Sequence, residues 1–480
     1  MGIRKVITTV GALAAVAGAA LAGSARAADE AAPLRPDQVA FRALYKELVE
    51  TNTTYSSGDC TLAAHRMGAR LKAAGYPDSD ITYITPPDHP REGGMVAVLH
   101  GTDPKAKALL LLAHIDVVEA NRSDWTRDPF TLVEENGYFY ARGASDDKAM
   151  ASVNIDTLVR LKQEDFKPRR DIKAAITCGE ETEGAFNGAS DLVTNHHALI
   201  DAAFALNEGG GGRLDEQGRR VVLNIQAGEK VYQDFTLTST SAGGHSSRPV
   251  RGDNAIARLA AAVAKVDDHQ FPVQLNHVTR AYFAAMGKIT PGEKGAALTA
   301  IAANPQDAAA LAVVTRDSSW NGMLRTTCVP TMIKGGHATN ALPQHAEANI
   351  NCRIVPTDTI DYVKGALVDA IGDPKVTVTL SGSEGVRAPV PPLSEGVMGP
   401  VRRAAGQVFP GVPIVPAMST GATDGRFLNL GGIPTYGLTG MFGDPDGNGV
   451  HGLNERIRVR SLYDGRDFLY AVIKDYAMQP

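Results

Sequence analysis

The sequence contains no block of basic residues, no C-x-x-C pair, no internal repeat and no low-complexity tract. Without a basic block, and with a formal net charge of -5, nucleic acid is a poor partner for this chain. Without C-x-x-C, a thiolate metal site is not indicated, because Cys60, Cys178, Cys328 and Cys352 are scattered along the chain. Beyond the start of the chain no apolar run is long enough to span a bilayer, so stable membrane insertion is not expected. The one early run, from about Val6 to Ala22, follows Arg4 and Lys5 and leads into Ser24-Ala25-Arg26-Ala27. That order is an export signal cut after Ala27; the competing reading is a membrane anchor, which the short Ala- and Gly-rich run serves poorly. Cleavage removes three cations, Arg4, Lys5 and Arg26, and no acid, taking the formal charge from -5 to -8. A periplasmic or secreted location puts the cysteines in an oxidising compartment. Cys328 and Cys352 flank an expected hairpin and either pair across it or remain two half-buried thiols.

A chain of 480 residues exceeds one simple core, so two domains are expected. From residue 36 to 228, helical segments alternate with short apolar strands. Ala108-Leu109-Leu110-Leu111-Leu112-Ala113 is apolar throughout, as in a strand covered on both faces. A helix is expected from about Lys148 to Gln163, and further strands over Asp171–Cys178 and Ala202–Leu206. This is the rhythm of an α/β fold with a mostly parallel sheet sandwiched by helices. Near Gly228 the pattern changes. Val231 to Thr240 alternates apolar and polar residues, helices are expected over 254–266 and 359–371, and strands near 324–334, 346–355 and 376–381. These features describe an inserted α+β module, with the Ala-rich stretch Thr279–Arg316 inside it and Ala388-Pro389-Val390-Pro391-Pro392 as the return linker.

Several acidic and imidazole residues stand where strands end, the place where open α/β sheets bind ligands. His114 and Asp116 close the apolar run and share one side of the sheet by the period of two. His114 reads either as a packed core histidine or as a ligand whose ring Asp116 orients. Asp146 and Asp147 open the helix at Lys148, either as helix caps or as a carboxylate shared between two ions. Glu180 and Glu181 follow the next buried strand. They form a solvated acidic loop, or else one binds metal and the other takes a proton from water. Glu208 follows a further strand and precedes glycines, and His451 lies between Gly449 and Gly452. Together His114, Asp146, Glu181, Glu208 and His451 offer two imidazoles and three carboxylates, a set suited to Zn2+, or to Co2+ or Mn2+.

At these residues the chain resembles family M-twenty of the zinc metallopeptidases, the superfamily of aminoacylase, carboxypeptidase S, carnosinase and succinyl-diaminopimelate desuccinylase. The matching segments are LLLLAHID, RGASDDK, GEETEG, NEGG, VHGLNE and, in the module, GGHSSRP. The Asp-Asp-Lys and Glu-Gly-Gly variants are most similar to the carboxypeptidase S branch. The resemblance implies a catalytic dizinc domain over residues 28–228 and 388–480, and a lid and dimerisation domain over 229–387. It implies two zinc ions per subunit, one on His114, Asp146 and Glu208 and one on Asp146, Glu181 and His451. Glu180 is then the general base, Asp116 orients His114, and the Asp146-Asp147 peptide is cis. His245 is expected to reach the active site of a partner subunit in a homodimer. Asn340 and Arg353 are expected to hold the substrate carboxylate, with Gly421 and Thr423 in a substrate-contacting loop. The implied reaction is cleavage of an amide bond beside a free carboxylate, in a small peptide or an N-acyl amino acid. The implied alternatives are an N-acyl amino acid deacylase and a non-catalytic exported binding protein of the same fold. Two departures stand out: Ala149-Met150 replaces a glycine common among relatives, and the stretch 279–316 is longer than in compact members.

Overall fold

The computed structural model describes residues 33–182 and 186–479. The expected export signal, and Glu183 and Gly184 of the GEETEG segment, lie outside the described residues. The centre of the molecule is strand Leu109–His114, buried at all six positions. It pairs in parallel with Ile172–Thr177 on one side and Phe204–Asn207 on the other. Its side chains divide by the period of two. Leu109, Leu111 and Ala113 enter one apolar cluster and Leu110 and Leu112 another, on the opposite face of the sheet. This explains why the run has no polar position: both faces are covered.

Ten strands make up this sheet, in the order Ile81–Ile84, Gly94–Leu99, Ile172–Thr177, Leu109–His114, Phe204–Asn207, Thr435–Gly437, Arg220–Glu229, Gly211–Leu214 and Phe442–Gly443, with Ile414–Ser419 paired to Arg220–Glu229. The central and return strands are parallel, while Gly94–Leu99 and Gly211–Leu214 join antiparallel. The fold is α/β with a central, mostly parallel sheet between helices. Helix Lys148–Gln163 is buried over most of its circumference, so its sequence shows no clean apolar stripe.

A second sheet has four antiparallel strands, ordered Thr327–Gly335, His345–Ile354, Val231–Thr240 and Val376–Ser381. Strand Val231–Thr240 alternates buried and half-buried positions, as its sequence predicts. Its buried residues pack with helices Ala255–Asp268 and Ile360–Ile371. Its other face carries Asp234, whose carboxylate accepts from Asn349 and Asn351.

The helices between residues 277 and 324 differ from the sequence expectation. Tyr282, Phe283, Leu298, Ile301 and Val314 cluster with Val222 and Val415, on strands Arg220–Glu229 and Ile414–Ser419 of the large sheet. These helices therefore extend the core of the large sheet instead of covering the four-stranded one. An Ala-rich helix has a small apolar face, and its sequence does not say which surface that face meets.

All four cysteines are paired. Cys328 and Cys352 face each other on neighbouring strands and are joined. Cys60 and Cys178, 118 positions apart, are joined as well, a link the sequence spacing did not suggest. Among the described residues no helix is long and apolar enough to cross a membrane.

Candidate active site

The ends of the central strands converge on one cluster. His114 ends its strand with only 2 % of its surface exposed. Its Nδ1 lies 3.1 Å from the backbone carbonyl of Asp116 and 3.5 Å from that residue's Oδ1. Nε2 is thereby turned outward, 3.2 Å from Asp146 Oδ1 and 3.8 Å from Glu208 Oε1. Asp116 has a second contact: its Oδ2 accepts from the backbone N–H of Glu181 at 2.9 Å.

Asp146 stands between the two histidines. Oδ1 faces His114, and Oδ2 lies 3.2 Å from His451 Nε2. His451 Nε2 is also 2.9 Å from Glu181 Oε2. One carboxylate thus presents one oxygen to each imidazole, with Glu208 on one side and Glu181 on the other. Ligand atoms of His114, Glu180 and Glu208 lie within 4.8 Å of one another, as do those of His114, Asp146 and Glu181. His451 comes from a glycine-flanked turn and has φ 61, a left-handed conformation uncommon outside glycine. The Asp146-Asp147 peptide is cis, and Asp147, at the helix N-cap position, makes no side-chain capping bond.

The electrostatics show what this cluster needs. Burial pushes Glu180 up to about 8 and Glu181 up to about 7, and it raises Glu208 and Asp147 well above the carboxylate range. For His114, burial opposes charge, but Glu208, Asp116 and Asp146 reverse this and hold it well above its ordinary value. His451 rises to about 9, chiefly through its bond to Asp146. On Asp146 burial acts upward, yet His114 and His451 hold it below its ordinary value. Six carboxyl groups, those of Asp116, Asp146, Asp147, Glu180, Glu181 and Glu208, crowded out of water beside two imidazoles leave more negative charge than the protein balances. The donor set is hard oxygen with borderline nitrogen, so it fits divalent cations of the zinc type.

Residues that the sequence reading passed over hold this arrangement. Glu455, the last residue of VHGLNE, is 1 % exposed and accepts from the backbone N–H groups of Gly143, Ser145 and Asp146 at 3.0, 2.7 and 3.0 Å. Arg142 also donates to it at 2.9 Å. Asn187 Nδ2 donates to the carbonyl of Gly179 at 3.0 Å and to buried Asp424 at 2.7 Å, bracing the turn before Glu180. The Cys60–Cys178 disulfide anchors the same turn from the other side. Gly179 has φ 94, and a Cβ there would fall 1.8 Å from the Phe186 carbonyl.

A cleft of about 980 Å³ opens over Glu180, Glu181 and His451, walled across by residues of the four-stranded module, Arg353 among them. Arg353 lies over the Tyr232 ring at 4.5 Å. The other expected substrate residues differ. His245 is exposed on the short strand Gly244–His245, with Nδ1 2.8 Å from Ser247 Oγ, and does not line this cleft. Asn340 is exposed beside it, its carbonyl accepting from Ser246 N–H at 3.0 Å. Gly421 donates to Ser419 Oγ at 3.0 Å. Thr423 is turned away from the cleft, bonded to Glu229 and Asn207, because the buried Glu229 carboxylate takes both its N–H and its hydroxyl. From that loop, Ala422 and Arg426 face the cleft instead.

Such a fold and site define a metal-dependent peptidase or amidohydrolase. The chain belongs to peptidase family M20/M25/M40, whose model matches residues 110–475. It is 28 % identical over 388 residues to the N-fatty-acyl-amino acid synthase/hydrolase PM20D1 of Mus musculus, covering 78 % of this chain and 76 % of that protein. It is 28 % identical over 385 residues to "Probable carboxypeptidase S-like 2" of Dictyostelium discoideum, covering 78 % and 73 %. The M20 family metallo-carboxypeptidase Sso-CP2 of Sulfolobus solfataricus has the same fold, with a TM-score of 0.68 at 20 % identity over 92 % of this chain and all of that one.

Proposed function

We propose that this protein is an exported, dizinc-dependent hydrolase that cleaves an amide bond beside a free carboxylate, with Glu180 as general base. The observation that carries the reading is Asp146, with one oxygen 3.2 Å from each of two histidines and a further acid beside each. His114, Asp146 and Glu208 would hold one zinc ion and Asp146, Glu181 and His451 the other, with cobalt or manganese as substitutes. Bound there, the pair would supply Lewis acidity and make water a stronger acid. Glu180 takes the proton of the attacking water on a carboxylate oxygen and returns it to the leaving nitrogen. Asp116 holds the His114 ring and the Glu181 backbone in register. Arg353 pairs with the free carboxylate through its planar fork.

The module over 229–387 acts as lid and dimer surface in this reading. Edge strand Thr327–Gly335 exposes Met332 and Ile333 at 73 % and 61 %, an apolar edge suited to a second copy of this chain. His245 and Asn340, adjacent and exposed, are then delivered together to the other subunit's cleft, where His245 stabilises the developing oxyanion. Full pairing of the four cysteines supports export to an oxidising compartment. A second reading, hydrolysis of N-acyl amino acids, is favoured by the relation to PM20D1.

The test is Glu180→Gln on the zinc-loaded protein, assayed with dipeptides and N-acyl amino acids with and without chelator. We expect turnover to fall by about 10³-fold with metal content unchanged. Near-native turnover in that variant would remove Glu180 from the role. Which substrate set the wild type prefers separates the two readings.

A further inference from the structure

The cleft contains a second arginine besides Arg353. Arg426 lies in the wall facing the module, half-buried, in the helical turn that begins at Gly425. A guanidinium keeps its charge at every physiological pH and offers five N–H donors in a planar fork. Among the described residues no carboxylate lies within ion-pair distance of it and no acceptor takes its side-chain N–H groups. The guanidinium lies over the Phe427 ring, 4.7 Å from its centre.

Several other charged groups of the cleft are engaged. Lys230 donates to the Arg325 carbonyl at 2.6 Å, and Arg353 covers the Tyr232 ring. Asp191 accepts from Asn195 at 2.7 Å, and Asp234 accepts from Tyr232 at 2.7 Å and from Asn349 and Asn351. Asp191 and Asp234 are therefore committed to other donors; exposed Glu384 lies in the opposite wall, and Glu229 and Asp424 feel the Arg426 charge without forming an ion pair to its fork. Next to it the helix Gly188–Asn195 lines the same wall with Ser190 and Thr194, small hydroxyl side chains that leave room for a ligand group.

We propose that Arg426 binds a second carboxylate of the substrate, so that the preferred amides carry two acid groups, one at Arg353 and one at Arg426. This rests on the hydrolase reading above and narrows its substrate class to acidic peptides or N-acyl amino acids with a dicarboxylic acyl group. A fork stacked on an aromatic ring and free of internal partners is pre-organised to take a carboxylate bidentately.

The experiment measures kcat/KM of the zinc-loaded full-length enzyme on matched pairs: Glu-Ala against Gln-Ala, Ala-Glu against Ala-Gln, and N-succinyl-alanine against N-butanoyl-alanine. We expect at least one pair to favour its acidic member by about 10- to 100-fold. Arg426→Gln brings that ratio to near one, chiefly through KM, and Arg426→Lys restores part of it. Hydrolysis without preference for any acidic member overturns the subsite alone. An equal fall of both members in Arg426→Gln overturns it too, and assigns Arg426 to a contact across the cleft, for which exposed Glu384 is the available acid. Failure of the wild type to hydrolyse any of the six compounds overturns the hydrolase reading, and the subsite falls with it.

Discussion

The large sheet and the four-stranded module treat their polar residues in opposite ways. Around the strand ends of the large sheet, His114, Asp116 and Glu455 are almost fully buried and held by one another or by backbone groups. In the module, His245 and Asn340 stand on the surface, away from the cleft that Arg353 lines. The difference teaches where each part of the site is completed. Most buried polar groups find partners within their own chain, so the acid and imidazole cluster is assembled within one subunit. Exposed residues meet no such demand, and in the proposed account they act only against a second subunit.

The largest effect that can break this comparison is on stability. The Cys60–Cys178 link closes 118 positions and the Cys328–Cys352 link only 24, so chain entropy assigns about 5 kcal/mol to the first and about 3.5 kcal/mol to the second. Replacing each pair by serine and measuring urea unfolding should show the larger loss for the core pair, which should also lower turnover because Cys178 anchors the Glu180 turn. Equal losses, with turnover intact, would make the two regions alike.

The next effect sharpens the module's side. His245→Ala should lower kcat by about 10²-fold. Mixing it with Glu180→Gln should restore activity, because one site of each mixed dimer then has its own Glu180 and the partner subunit's His245. Random exchange would give about one quarter of the wild-type rate. No recovery after subunit exchange would place His245 outside the reaction.

The smallest effect lies at the junction of the two regions. Burial lifts the Glu229 carboxyl to about 7, from an ordinary value of 4.5. The folded state then holds a proton that the unfolded chain has lost between those values. The stability from this group is complete below about 4.5 and disappears as pH rises through about 7. Thermal unfolding of wild type and Glu229→Gln across that window should diverge with rising pH, the wild type losing more. Parallel curves would mean that Glu229 titrates as it does in the unfolded chain.

Much of the fold was legible because it rests on periodicity. The run at 109–114 declares a strand buried on both faces, and the alternation at 231–240 declares one covered on a single face. His114, Glu181 and Glu208 were legible because each follows or ends such a strand, and Asp146 and His451 because they stand at a helix start and between glycines. Other features depend on contacts that spacing does not encode. Cys60 gives no sign along the chain that it meets Cys178, and Glu455 resembles any acid in a loop until its three backbone donors are seen. The helices of 277–324 show their type in sequence but not the surface they cover. Thr423 was expected at the substrate, but the buried Glu229 carboxylate, absent from the motifs, claims it.

The central claim is that His114, Asp146, Glu181, Glu208 and His451 hold two divalent cations with Asp146 between them. Anomalous diffraction at the zinc edge from crystals of the zinc-loaded protein tests it most directly. The account predicts two peaks flanking Asp146, one touched by His114 and Glu208 and the other by Glu181 and His451. A single peak, or peaks that do not touch Asp146, would contradict it.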